Sequence, residues 1–276
     1  RAPETTPAAD GARHEPGADY DVGMMTMGTV AIIVAAILVG TVLQRISGTG
    51  VGLVVAPTLS ILLGPVLGVL VTNMTTVVSG FLIMIAVWSR IDWRRYWLIG
   101  PAAVLGAIPG ALVVGALPPG WLSILVGAIV VFALLVTVGM RTLPRVDGSP
   151  IAMLSGLVGG FFNTTSGVAA PVMVIYSRVA RWEQLRFAAT LQPIFMTMGA
   201  ASVASKLATG ATADAAGTDL HLGWLAPGVV ATVLIGIAVG TWLAKRVPVA
   251  HARRLALLLA ALGGVGAIVR GVLEVI

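Results

Sequence analysis

Two short stretches of this sequence place glycines and small hydroxyl residues ahead of a proline inside otherwise apolar surroundings: Ser47 to Pro57 (SGTGVGLVVAP) and Thr164 to Pro171 (TTSGVAAP). Stretches of this type break a helix. Within a membrane a break exposes backbone N–H groups that need partners, and the N-terminus of the piece that follows carries about half a positive charge. That combination suits a small anion, held without a buried Lys or Arg. Gly48, Gly50 and Gly52 at one break, with Ser166 and Gly167 at the other, would let the backbone approach an oxyanion closely. The hydroxyls of Ser47, Thr49, Thr165 and Ser166 and the amides of Asn73, Asn163 and Gln192 would add neutral donors. The candidate substrate-binding residues are therefore Gly48, Thr49, Gly50, Gly52, Asn73, Asn163, Thr165, Ser166, Gly167 and Gln192. The plain structural alternative is close packing for the glycines and helix-to-helix glue for the amides, worth about 0.6 kcal/mol each.

Other chemistries lack their residues. With no cysteine there is no thiolate site or cysteine nucleophile. No apolar segment holds paired acids, a metal-ligand cluster or a His beside a carboxylate, so the sequence offers no catalytic residue, metal site or cofactor site and does not read as an enzyme. His221 and His251 fall in loops or at segment ends, where solvated surface is the ordinary role. No segment has an acid near its middle, which argues against a carboxylate proton relay. Coupling would then come from a substrate that carries its own proton, as bisulfite does, or export would run down the membrane potential, about 2.3 kcal/mol per charge per 100 mV.

The elements that must position these residues are membrane helices. The 276 residues are 58% hydrophobic and 10% charged, whereas soluble domains are about 25% charged. Apolar runs fall near 25–46, 48–63, 66–88, 96–117, 120–140, 150–163, 166–177, 187–207, 223–244 and 250–275. Most approach the roughly 20 residues that cross about 30 Å of hydrocarbon. The runs 48–63 and 166–177 are too short and begin at the glycine breaks. Residues 1–23, rich in Pro, Ala and acids, read as a disordered tail. Pro57 and Pro171 read as terminators or kinks of the short helices.

The chain reads as a duplication. Each half opens a short segment at a break, carries an amide on the next helix (Asn73, Gln192), and then glycines four apart in GAIPGA (Gly106 to Ala111) and GIAVGT (Gly236 to Thr241). Trp121 and His251 each follow the second glycine by the same interval. The expected organisation is a tail over 1–23 and two all-α transmembrane repeats over 24–146 and 147–276. Each has about five hydrophobic segments, with the short, broken or re-entrant helices at matching positions. An odd number of passes inverts the second repeat. Arg45, Arg90, Arg94, Arg95, Arg141, Arg145, Arg178, Arg181, Arg186, Lys245, Arg246, Arg253 and Arg254, 13 of the 17 basic residues, then share one side. By the positive-inside rule that side is cytoplasmic and both termini lie outside. A net charge of +6 thus reflects topology, and no nucleic-acid partner is expected; the partners are a small anion and the lipid bilayer, with the oligomeric state left open. The SRIDWRRYW stretch (Ser89 to Trp97) reads as an interfacial anchor.

The run SGTGVGLVVAPTLSILLG with Asn73 downstream, the IDWRR loop, GAIPGA and the second-half SGLVGGFFNTTSGVAAPVMVIY resemble the TauE/SafE sulfite exporter family, also called the toluene sulfonate uptake permease family, over roughly Thr29 to Val269. The resemblance implies a bacterial inner-membrane carrier for sulfite, thiosulfate, sulfoacetate, other sulfonates or related sulfur-containing anions. It places the family's glycine-rich break on Gly48, Gly50 and Gly52 and the second-half counterpart on Ser166, Gly167 and Pro171. Val51 interrupts the commoner three-glycine run, and Ala169 and Ala170 stand in the second half. The rival readings are a passive anion channel and a non-transporting membrane assembly subunit.

Overall fold

The computed structural model describes residues 27–48, 51–139, 145–212 and 222–276. The tail, Thr6, Thr49, Gly50, Arg141, Asp214, Asp219 and His221 fall outside this set. The described residues form ten α-helices: α1 (Met27–Ser47), α2 (Val51–Leu63), α3 (Pro65–Val87), α4 (Trp93–Ala116), α5 (Pro119–Gly139), α6 (Ser149–Ser166), α7 (Ala170–Val179), α8 (Gln184–Ala208), α9 (Leu222–Leu243) and α10 (Val249–Val275). Helix is the form an apolar chain must take in lipid, because it satisfies each backbone polar group within its own segment.

Seven of these helices are long and apolar enough to span a membrane: α1, α3, α4, α5, α8, α9 and α10. Helices α2, with 13 residues, and α7, with 10, are the expected short pieces. Helix α6 departs from the sequence expectation. It has 18 residues but lies outside the seven, because Ser149 and Pro150 open it and the polar run Asn163 to Ser166 closes it. Neither Pro57 nor Pro171 terminates its short helix. Pro57 lies inside α2. Pro171 opens α7, where its missing N–H is one that no helical carbonyl would have bonded.

Helix α4 packs on α6, α1 on α9, α3 on α8 and α5 on α10, while α2 also meets α10 and α7 meets α5. Small residues bring the backbones together, as expected where the hydrophobic effect does not drive helix association. A Cβ at Gly106 would overlap the Leu157 carbonyl on α6, and one at Gly236 would come 2.8 Å from Thr41 Cβ on α1. The two glycines matched in the sequence therefore make equivalent contacts, each on the first helix of the other half. On the perimeter Leu105, Leu135, Val138, Leu262 and Leu273 are exposed, a face suited to lipid.

The ends of α1, α5, α7 and α9 and the start of α10 bring Arg45, Arg178 and Arg253 to one end of the bundle. There Arg45 Nε donates to Thr241 Oγ1 at 3.0 Å, and an Arg178 guanidinium N–H donates to the Thr137 carbonyl at 3.3 Å. Arg95 pairs with Asp92 and Asp147 at 3.6 and 3.4 Å and stacks 4.6 Å from the Trp182 ring centroid. Asp92 also caps α4, accepting from Arg95 N at 3.2 Å. At the other end of α2, Arg270 of α10 donates to the Ser60 carbonyl at 3.2 Å and to that of Ile61, placing a cation at that helix's negative terminus.

Candidate functional site

Each broken segment ends in the same local chemistry. Gly48 N donates to the Gln44 carbonyl and Gly167 N to the Asn163 carbonyl, both at 2.8 Å. Both glycines adopt left-handed backbone, φ 80° and φ 74°, a conformation that costs an L-residue with a Cβ about 1–2 kcal/mol. They close α1 and α6 and free the chain to start again as α2 and α7. Ser166 Oγ secures the second break by donating to the Phe162 carbonyl at 2.7 Å and accepting from Val168 N at 3.2 Å.

The amides tie each break to a long helix of the other half. Asn163 Nδ2 donates to Asn73 Oδ1 on α3 at 2.7 Å, and Asn73 Nδ2 donates to Ser202 Oγ on α8 at 2.8 Å. Gln44 Nε2 donates to Gln192 Oε1 on α8 at 3.2 Å, and Gln192 Nε2 donates to the Ala188 and Gly48 carbonyls at 3.1 and 3.4 Å. The same interval along the chain separates Gln44 from Asn163, Gly48 from Gly167 and Asn73 from Gln192. The crossed pairing therefore repeats in register. All four amide side chains are buried, where leaving a polar group unpaired costs about 1–3 kcal/mol.

The N-termini of α2 and α7 line one small cavity. Val51, Gly52 and Leu53 face Gly167, Val168, Ala169 and Ala170 across it, with Gln44, Asn163, Thr76 and Phe195 completing the wall. No charged side chain contributes to this wall among the described residues. The approach is close: a Cβ on Gly52 would overlap the Gly167 carbonyl oxygen. The cavity measures about 20 Å³, room for about one water. Toward the basic end lies a vestibule of about 180 Å³ lined by Ser47, Gly48, Leu53, Ala170, Arg178 and Arg253, among others. Leu53 and Ala170 line both spaces and stand between them.

The sequence-derived candidates distribute unevenly over this geometry. Gly52, Asn163 and Gly167 line the cavity, and Gly48 lines the vestibule. Asn73 and Gln192 stand one hydrogen bond behind the cavity wall. Thr165 Oγ1 turns back onto the Phe161 carbonyl at 3.0 Å, and the Ser166 hydroxyl proton is likewise used on its own helix. These two hydroxyls secure the break and have no free donor for a ligand. Thr49 and Gly50 lie outside the described residues. Sequence reasoning missed Gln44, Thr76, Phe195 and Ser202. The interval that relates Asn73 to Gln192 also relates Gln44 to Asn163 and Thr76 to Phe195, so that spacing in the sequence pointed to three of the four.

Seven apolar spanning helices around two short ones define a multi-pass membrane protein with a buried polar centre. The family model for the sulfite exporter TauE/SafE matches residues 32–267, and the chain belongs to this family of transporters. Neither a curated protein nor a solved structure matches it.

Proposed function

We propose that this chain exports a small sulfur-containing anion, such as sulfite, thiosulfate or an organosulfonate, across the bacterial inner membrane, binding it at the midplane between α2 and α7. The observation that carries the reading is the meeting of two helix N-termini at one uncharged cavity. Each terminus contributes about half a positive charge and unpaired N–H groups, so together they favour one anion. Gln44 Oε1 has no hydrogen-bond partner among the described residues. It would accept from an anion that brings its own proton, such as bisulfite.

The proposed architecture is a pair of inverted repeats, 24–146 and 147–276. In support, α4 meets α6 as α9 meets α1, α2 meets α10 as α7 meets α5, and the Asn73–Asn163 and Gln44–Gln192 pairs exchange partners between halves. Paired discontinuous helices in inverted repeats characterise transporter sites where access alternates. Charge places the basic end in the cytoplasm and both termini outside. In this orientation the vestibule is the cytoplasmic mouth, Arg178 and Arg253 draw anions in, and the cavity is an occluded site. Loading it requires Leu53 and Ala170 to part.

The purified protein should be stabilised against heat by sulfite, thiosulfate or a sulfonate, and not by equal chloride or acetate, because a ligand of the native state raises its stability by RT ln(1 + [L]/Kd). In liposomes the same anion should show saturable counterflow. Non-saturating flux without counterflow would favour a passive channel. Neither stabilisation nor flux with any sulfur oxyanion would overturn the proposal.

A further inference from the structure

Lys206 is the largest fully buried side chain of the described residues; it is 0% exposed, and its Nζ has no hydrogen-bond partner among them. It lies in the last turn of α8, and no acidic side chain among the described residues pairs with it. The nearest electrostatic comfort is its own helix C-terminus, whose partial negative charge favours a cation. Lys206 O, however, already accepts from Ala211 N at 3.0 Å and Thr209 Oγ1 at 3.4 Å, and the Lys206 amino group has no acceptor among the described residues. An amino group buried without an acceptor is costly to keep, and ionisable side chains inside membrane segments commonly line substrate or ion paths, where an arriving anion holds them charged.

Its position connects it to the polar centre. Residues four apart share a helix face, so Lys206 stands one turn beyond Ser202, about 6 Å along α8. Ser202 accepts from Asn73, which accepts from Asn163 at the cavity wall. Helical side chains lean toward the N-terminus of their helix, which directs the Lys206 stem back over the Ser202 turn and away from the nearer end of the bundle. The position is also asymmetric. At the interval that relates Asn73 to Gln192, the first half has Val87, and the arginines of the vestibule lie at the opposite end.

We propose that Lys206 is a second anion subsite, in the half of the pathway remote from the basic end, whose counter-ion is the transported oxyanion after it leaves the cavity between α2 and α7. This rests on the export reading above. A singly or doubly charged sulfur oxyanion supplies the several acceptor oxygens that the ammonium lacks, and the neutral cavity and the charged subsite then divide the passage into two short steps.

The test uses the full chain, purified and in liposomes loaded with sulfite or thiosulfate, comparing wild type with Lys206→Met and Lys206→Arg. Methionine keeps the length and apolar stem and removes the charge, so the ligand-free melting temperature should stay level or rise. Efflux per folded protein should fall at least tenfold in Lys206→Met and recover in part in Lys206→Arg. Wild-type efflux from Lys206→Met would overturn the subsite. So would a loss of efflux that only follows a loss of folded protein, or an equal loss in the arginine variant. If wild type itself carries neither anion, the export reading falls, and the subsite with it; a working wild type beside an unaffected Lys206→Met removes the subsite alone.

Discussion

Asn163 donates to Asn73 Oδ1 at 2.7 Å, joining the last turn of a broken helix to the middle of a long one from the other half of the chain. Gln44 and Gln192 repeat the arrangement at 3.2 Å. These two bonds hold the helix breaks in place while leaving the N-termini of α2 and α7 facing each other. Hydrogen-bonded amide pairs behind the cavity suit a site that must keep its donors aimed while its walls part.

The amide pair should behave as a unit. Asn73→Leu and Asn163→Leu each strand a buried partner and should cost about 1–3 kcal/mol. The double variant should cost less than their sum, because neither amide is left facing a missing partner, while the loss of the donor to Ser202 Oγ is already counted in Asn73→Leu. Denaturation in detergent measures the cycle, and strict additivity would show that the two amides do not depend on each other.

Gly167 tests the break itself. Its φ is 74°, and an added Cβ would stand 3.0 Å from Ala56 Cβ and 3.3 Å from Thr72 Cγ2. Gly167→Ala should cost about 1–2 kcal/mol for the left-handed backbone, leave folded protein in the membrane and cut flux at least tenfold. Gly167→Leu and Gly50→Leu should abolish it. Wild-type transport in the leucine variants would remove the matched breaks from the mechanism.

Arg253 lines the vestibule, so Arg253→Gln should raise the half-saturating anion concentration a few-fold from the basic side and leave the maximal rate unchanged. Exposed charges are screened over about 10 Å at 0.1 M salt, and the difference from wild type should shrink as salt rises. A salt-independent defect would assign Arg253 to packing.

Orientation is open to labelling. With the basic end in the cytoplasm, single cysteines at Thr6 and Thr212 should react with an impermeant reagent from outside, and one at the exposed Ser149 should react only after the membrane is opened. Outside labelling at Ser149 would reverse the proposed topology.

Much of this architecture was legible in the sequence because hydropathy and membrane thickness act locally. Each of the ten apolar runs overlaps one of the ten helices in the described residues, and the short runs at Gly48 and Gly167 are short helices. Helix α6 was less legible because its polar C-terminal turn is both the end of a helix and the start of the site. The partners of Asn73 and Gln192 needed three dimensions. The spacing that matches Asn73 with Gln192 pairs positions along the chain, but the hydrogen bonds run across that match, Asn73 to Asn163 and Gln192 to Gln44. The hydroxyls of Thr165 and Ser166 misled for a related reason: spacing identifies them as potential donors, while the helix geometry turns them onto the Phe161 and Phe162 carbonyls. Lys206 escaped notice because it lies one turn from a segment end, where a lysine ordinarily reaches the interface.

Selenite has the charge and shape of sulfite and scatters X-rays anomalously, so crystals soaked at a concentration that stabilises the protein in solution test the central claim most directly. The account predicts an anomalous peak between the first turns of α2 and α7, beside Gly52 and Gly167, with the cavity widened beyond its present 20 Å³. Stabilising selenite with no peak between those two helix N-termini would contradict it.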